Sequence, residues 1–245
     1  MAERTVYLIR HAESRYNAGA KAYSLAALLR ECDHGLSSRG LEQCLALRSS
    51  IERWRASRDR DAVAIAKAEP LASPLRRALQ TAHLALGASR VVALPDGREP
   101  CAAPVFARDS VGTARSLIEA ELRREVGSRV DVDTRAIDLE EWWTVAESTA
   151  SVDRRLRRLL LDLHARAAAA PCVYVGHSRA IREIFRRFAQ EPDYADFHAN
   201  LVANCAVLKL RVGVAHNDDP VILGANFLFG TTFQPPRPDL LAWAR

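Results

Sequence analysis

Two histidines and two arginines hold most of the chemistry that the sequence offers. Val6-Tyr7-Leu8-Ile9 is an apolar run that stops abruptly at Arg10-His11, and Val173-Tyr174-Val175 stops in the same way at Gly176-His177-Ser178. Short apolar runs bounded like this read as buried strands of a parallel sheet, and open sheets of that kind bind ligands beyond the carboxyl ends of their strands. A further basic group, Arg77, lies on a helix that begins after Ser73-Pro74. If the two strand ends and this helix converge, the ligand that best uses the set is a phosphoryl group. Guanidinium groups bind phosphate bidentately and stay charged at any working pH, whereas a neutral imidazole, with a reference pKa of about 6.5, supplies a nucleophilic nitrogen near neutrality. In this reading His11 attacks phosphorus with one ring nitrogen while the other donates the hydrogen bond that fixes the tautomer. Arg10 and Arg77 clamp the phosphoryl group, and His177 stabilises charge developing on the equatorial oxygens. The residues call for no metal and no other cofactor.

The elements that must position these groups follow from hydrophobic periodicity and turn chemistry. Apolar strands alternate with amphipathic helices, the pattern of an α/β three-layer sandwich with a mostly parallel central sheet flanked by helices. Asp33 to Gly40 is a turn-rich approach to a helix carrying Leu41, Leu45, Leu47, Ile51 and Trp54, which the polar run Ser57 to Asp61 ends. Ala62 to Ala66 is expected to be a short buried strand. Pro74 sits at the first helical position, and the helix that follows covers Arg76 to Leu86. Val91 to Leu94 reads as a strand and Pro95 to Pro104 as a loop. Residues 113–126 and 148–169 read as helices, the second with Leu156, Leu159, Leu160 and Leu163 inward. Val207 to Val212 and Val221 to Leu223 are expected to be the last strands, before a Pro-rich tail at Pro235-Pro236-Arg237-Pro238.

Composition bounds the setting. At 245 residues and 49% hydrophobic content the chain can bury one sizeable core, and the expected organisation is one domain over 1–245, with 95–147 as a variable lid or loop region and 232–245 as the tail. No stretch is apolar and long enough to span a membrane, and Met1-Ala2-Glu3-Arg4 runs into the first strand without a secretory h-region; a soluble, cytoplasmic protein is expected. Five scattered cysteines with no C-x-x-C pair read as reduced, buried residues. The net charge of +5 comes from basic residues spread along the chain and interleaved with acidic ones, a solvated surface and not a nucleic-acid footprint. No nucleic-acid or membrane partner is implied, and the oligomeric state is left open. His34, His83, His164, His198 and His216 lack motif context and read as surface or packing residues, and Trp142 and Trp143 as core or lid.

With these residues in place, the chain resembles the histidine phosphatase superfamily, which includes the phosphoglycerate mutase-like enzymes. Arg10-His11-Ala12-Glu13-Ser14 with Asn17 is similar to the family's R-H-[GA]-E-[ST]-x-x-N signature. Asp33, Leu36, Ser37, Gly40 and Gln43 resemble its D-x-x-L-[TS]-x-x-G-x-x-Q stretch, Ser73 to Ala82 its S-P-L-x-R-A-x-Q-T-A stretch, and Gly176-His177-Ser178 its second histidine motif. The resemblance runs from residue 5 to about 185. Softer likeness around Leu139 to Trp143, Glu147-Ser148, Arg154 and Asn204-Cys205 points to mutase-like members of plants and fungi. The resemblance implies that His11 is phosphorylated in catalysis, that Arg77 and not Arg76 is the second phosphate arginine, and that the ligand is a small phosphorylated substrate. Ser14, Asn17 and Ser178 are its candidate substrate-binding residues, although Ser14 and Asn17 would equally stabilise the turn after His11.

Family members protonate the leaving oxygen with a carboxylic acid, commonly a glutamate in an L-x-E stretch. The corresponding stretch here reads Pro104-Val105-Phe106-Ala107-Arg108-Asp109, with arginine where the acid is sought, so Asp109 is taken as the donor and Glu99, Glu140 and Glu141 stand as alternatives. The mutases' E-R-x-Y-G segment is missing, which favours a phosphomonoesterase over phosphoglycerate mutase-type transfer. The remaining alternative is a catalytically weak pseudoenzyme that binds a phosphorylated ligand.

Overall fold

The computed structural model describes residues 2–22, 24, 31–100, 110–127, 130–144, 146–190, 194–229 and 232–234. Its sheet is built around β1 (Arg4–Arg10), which pairs in parallel with β5 (Cys172–Gly176) from Val6 opposite Cys172 to Arg10 opposite Gly176. On its other side β1 pairs antiparallel with β6 (Val207–Val214). With β2 (Leu71–Ala72), β3 (Arg90–Ala93), β4 (Asp131–Asp133) and β7 (Pro220–Phe229), the strand order is β4-β3-β2-β5-β1-β6-β7. The first five strands run parallel, β6 reverses, and β7 pairs antiparallel with β6.

Both faces of the sheet are covered, which is why β1 reads as continuous apolar sequence. Alternation along the strand sends Tyr7 and Ile9 to one face and Val6 and Leu8 to the other. The first face packs against α2 (Ser38–Ala56), α3 (Arg60–Lys67), α4 (Arg76–Leu86) and α5 (Ile118–Val126), through residues such as Leu47, Ile51, Ile65, Leu79 and Leu122. The second packs against α6 (Thr149–Arg166), α7 (Ser178–Phe188) and α8 (Ala195–Ala199), where Leu156, Leu160, Ile181, Phe185 and Phe197 are buried. A short α1 (Arg15–Lys21) follows β1 directly. The three-layer, mostly parallel architecture expected from the sequence is the one observed.

Several local expectations are corrected. Ala62 to Ala66 belongs to α3, not to a strand: Asp59 caps it by accepting from the Ala62 N–H at 2.8 Å, and Ala62 and Ile65 bury one helical face. A five-residue, alanine-rich apolar run carries too little periodicity to separate the two states, and alanine favours the helix. The segment 113–126 begins irregularly and as a 3-10 turn at Arg115–Leu117 before α5. β4 escapes the sequence reading because Asp131-Val132-Asp133 offers one apolar residue, and its pairing with β3 is a tertiary effect. β6 and β7 extend beyond their expected limits, and α6 ends at Arg166. In α2, Leu41, Leu45 and Trp54 are exposed, and Cys44, Leu47 and Ile51 form the inner face. Cys32 is exposed, whereas Cys44, Cys172 and Cys205 are buried as expected; Cys101 and the Pro-rich stretch lie outside the described residues. Among the described residues no helix is long and apolar enough to cross a membrane.

Gly40, in the first turn of α2, marks where this helix meets the loop after β1. A Cβ there would lie 2.1 Å from the Glu13 carbonyl oxygen. Alanine in place of glycine within an exposed helix gains about 1 kcal/mol, but here Gly40→Ala is expected to destabilise the protein by about 1–3 kcal/mol, as overpacking does. A denaturant midpoint equal to or above that of the wild type would contradict this packing.

Candidate active site

The register of β1 against β5 brings the two histidines together. Arg10 lies opposite Gly176, and the ladder continues for one more bond, the His11 N–H donating to the Gly176 carbonyl at 2.9 Å. His11 and His177 therefore leave the sheet side by side, their ring centroids 5.1 Å apart and their planes inclined by 59°. β2 lies on the other flank of β5, and the Ser73 N–H donates to the Val175 carbonyl at 3.0 Å before the chain turns into α4. That turn delivers Arg77 to the same edge. Arg10, His11, Arg77 and His177 are all buried, His177 completely. Arg76, its neighbour, points elsewhere, its charge met by Glu125 at 2.9 Å and Glu121 at 3.6 Å on α5.

His11 has a defined tautomer. Its Nδ1 lies 2.6 Å from the Ala12 carbonyl, which can only accept, so Nδ1 carries the proton and Nε2 is the lone-pair nitrogen of the neutral ring. Neither ring nitrogen of His177 is hydrogen-bonded among the described residues. Burial first, and then the nearby charges of Arg77, His11 and Arg10, hold its pKa well below the ordinary histidine value. A buried polar ring left without a partner costs about 1–3 kcal/mol, and its position beside two guanidinium groups suits it to donate to an anion.

Polar side chains fix the loop after His11 from several directions. Asn204 donates to the His11 carbonyl at 2.8 Å, the Ala12 N–H donates to Thr81 Oγ1 at 3.0 Å, and the Glu13 N–H donates to Gln43 Oε1 at 2.8 Å. The Ser37 N–H donates to the Glu13 carbonyl at 2.9 Å, and Gln80 Oε1 accepts from the Leu36 N–H at 2.7 Å. Asp33 accepts from the Arg76 N–H at 2.8 Å and from Thr113 Oγ1 at 2.7 Å; burial raises its carboxyl pKa although Arg77 and Arg76 pull the other way. Arg10 donates through Nη1 to the Val202 carbonyl at 2.5 Å, and Gln234, its amide oriented to suit its neighbours, accepts from Arg10 Nη2 at 2.9 Å.

The remaining candidates separate. Ser14 and Asn17 form a reciprocal capping box at the start of α1, with Ser14 Oγ accepting from the Asn17 N–H at 3.1 Å. Ser178 is buried as the first residue of α7, beside His177. Glu140 is exposed and bonded to Ser116, and Glu141 is exposed; neither is brought to the histidines. Glu99 reaches the first turn of α7, its Oε2 accepting from the Ala180 N–H at 3.4 Å, three residues beyond His177. Asp109 lies outside the described residues. The segment leading to Glu99 is anchored by Arg155, which donates to the carbonyls of Asp96 and Arg98 at 2.7 and 2.9 Å and forms a buried, two-pronged ion pair with Glu147. Sequence reasoning singled out the exposed Arg154 instead. The signal that identifies Arg155 is its place on the apolar face with Val152, Leu156 and Leu159. Gln234 has no sequence signal of that kind. Among the described residues no group of three or more His, Cys, Asp or Glu side chains is arranged to hold a metal ion.

Residues 6–223 match the model of the histidine phosphatase superfamily, branch 1. The chain belongs to that superfamily. No curated protein sequence matches it. Among solved structures it is similar to mycobacterial hydrolase 1 (18% identity, TM-score 0.54, covering 95% of this chain and 100% of that one). It is also similar to a mycobacterial glucosyl-3-phosphoglycerate phosphatase in complex with VO3 (20% identity, TM-score 0.52, 90% and 98%), and to mycobacterial hydrolase 2 (19% identity, TM-score 0.52, 100% and 97%). At these identities the likeness is one of fold.

The state of His177 has a measurable consequence. The unfolded chain protonates this imidazole below about pH 6.5, whereas the folded protein keeps it neutral to lower pH. The unfolded state thus binds the extra proton, and stability falls as pH drops below that value, by up to about 1.4 kcal/mol per pH unit for one such group. His177→Gln is expected to flatten the denaturant-derived stability profile between about pH 5 and 7; parallel profiles for variant and wild type would remove the neutral-imidazole assignment.

Proposed function

We propose that this superfamily member is a metal-independent phosphomonoesterase that hydrolyses a small phosphorylated metabolite through a phosphohistidine on His11. The observation that carries the reading is the pair of buried imidazoles 5.1 Å apart, with the buried guanidinium groups of Arg10 and Arg77 supplying positive charge at the same sheet edge. The lone pair on His11 Nε2 attacks phosphorus, the bond from phosphorus to the ester oxygen breaks, and a carboxylic acid gives its proton to the departing oxygen. Water then loses a proton to that carboxylate and attacks the phosphohistidine, releasing inorganic phosphate and restoring His11. Arg10 and Arg77 balance the charge on the phosphoryl oxygens, and His177 donates to one of them. A bound dianion opposes the effect of the two arginines on His177 and favours its protonated form.

Glu99 is the better supported proton donor, because it reaches the first turn of α7 beside His177 and its segment is anchored by Arg155; Asp109 is the competing choice. Hydrolysis is favoured over transfer because the sequence lacks the mutases' E-R-x-Y-G segment. The phosphatase named among the structures of similar fold, which acts on glucosyl-3-phosphoglycerate, supports a small phosphorylated compound as substrate.

The test compares p-nitrophenyl phosphate with hexyl phosphate between about pH 5 and 7. The wild type is expected to turn over both and to yield an acid-labile phosphoenzyme, and His11→Ala to lose both activities. Glu99→Gln is expected to lower kcat on hexyl phosphate by about 10²- to 10⁴-fold, the usual worth of general acid catalysis, and to affect p-nitrophenyl phosphate much less, since that leaving group needs little protonation. Absence of turnover and of phosphoenzyme in the wild type rejects the enzyme; loss of alkyl phosphate activity in Asp109→Asn but not in Glu99→Gln moves the donor to Asp109.

A further inference from the structure

A groove of about 820 Å³ lies between the first turn of α6 and the outer face of α7, bounded near Glu99 by Pro100. Its α7 wall is Arg179, Arg182, Glu183, Arg186 and Arg187, residues at helical spacing on one face. The charges in this groove do not cancel evenly along its length. At the far end Arg187 contacts both Asp153, at 2.9 Å, and Glu183, while Arg186 reaches Glu183 at 3.5 Å. Glu147, which also lines the groove, is committed to Arg155 and Arg98. At the near end Arg182 comes no closer than 4.0 Å to Glu183, and its Nε is buried without a hydrogen-bond partner among the described residues. Arg179 is exposed and has no ion pair among the described residues. Two positive charges are therefore left over, and both lie towards His177.

Position makes this surplus relevant to the proposed reaction. Arg179 follows His177 by two residues, and Arg182 follows it by about 7 Å of helical rise. The carboxylate of Glu99 rests on the Ala180 N–H between them in sequence. The groove is thus bounded by the residue that follows Glu99, the carboxylate assigned above to the leaving oxygen.

We propose that Arg179 and Arg182 form an anion subsite for a second negative group, carboxylate or phosphate, carried by the leaving-group portion of the substrate. The inference rests on the phosphomonoesterase reading above. It narrows the substrate class to small phosphorylated compounds with a further acidic group, since a planar guanidinium engages either anion with paired N–H donors.

The experiment compares hexyl phosphate with its ω-carboxylate and ω-phosphate analogues, using p-nitrophenyl phosphate as the reference. At low ionic strength the wild type is expected to show kcat/KM at least about tenfold higher for one or both ω-charged analogues, with the gap closing as salt is raised; which analogue gains more separates carboxylate from phosphate. The Arg179→Ala/Arg182→Ala variant should lose that gap through KM while turning over hexyl phosphate and p-nitrophenyl phosphate as the wild type does, and Arg179→Lys/Arg182→Lys should recover part of it. Wild-type turnover without preference, or a preference that survives in the double alanine variant, overturns the subsite. If the wild type turns over nothing, the phosphatase reading fails by itself, and calorimetric binding decides the subsite: tighter binding of an ω-charged analogue that the double variant loses supports it, and equal binding of all three compounds overturns it.

Discussion

The parallel register between β1 and β5 is the constraint on which the rest of the site depends. Because the strands run in the same direction and Arg10 pairs with Gly176, both chains leave the sheet at one edge within a residue of each other, each with a histidine in that place. A one-residue slip would turn every side chain of β1 to the opposite face, putting Val6 and Leu8 into the layer built for Tyr7 and Ile9. Packing on both faces therefore holds a distance between two imidazole rings. Burial, and then the arginines beside them, make the pocket hostile to a further cation and hold the His177 pKa well below the ordinary histidine value, and the same field favours an anion.

Around that edge the motif residues bond mostly to backbone groups. Thr81, Gln43, Ser37 and Asn204 each satisfy or draw on one peptide group of the His11 loop, and Gln80 and Asp33 do the same one shell further out. Asp33, one of these supports, and Cys205, the neighbour of Asn204, adopt left-handed backbone conformations with φ of 48° and 58°. Such conformations cost about 1–3 kcal/mol each outside glycine and persist where surrounding contacts over-determine them. Holding the His11 loop this firmly would, in the proposed reaction, lower the reorganisation needed as the imidazole attacks.

What the sequence made legible follows from how local each signal is. Arg10, His11 and His177 were readable because each sits where an apolar strand ends, and Arg77 because it opens the helix that follows Ser73-Pro74; the layer order followed from alternating strands and helices. Ala62 to Ala66 misled because a short alanine-rich run has no decisive period. Arg154 stands out only through the softer likeness to mutase-like members, whereas the helical face that buries Arg155 with Val152 and Leu156 is what distinguishes the two arginines. Ser14 and Asn17 looked like ligand contacts, but the capping box that they form is a local need of α1. Glu99 and Gln234 depend on tertiary approach: nothing within several residues of either announces that one meets the helix after His177 and the other meets Arg10.

The contact between Gln234 and Arg10 joins a group near the end of the described chain to one near its beginning. Synthesis proceeds at about 5–20 residues per second, so β1 emerges from the ribosome long before either of its partner strands exists, with hydrophobic edges on both sides. Its parallel partner arrives only with residues 172–176, its antiparallel partner with 207–214, and the contact of Gln234 with the Arg10 guanidinium later still. The Arg10 guanidinium thereby gains its contacts only after residues 202 and 234 have been made, and a chain stopped before Gln234 would fold its sheet with Arg10 held less firmly.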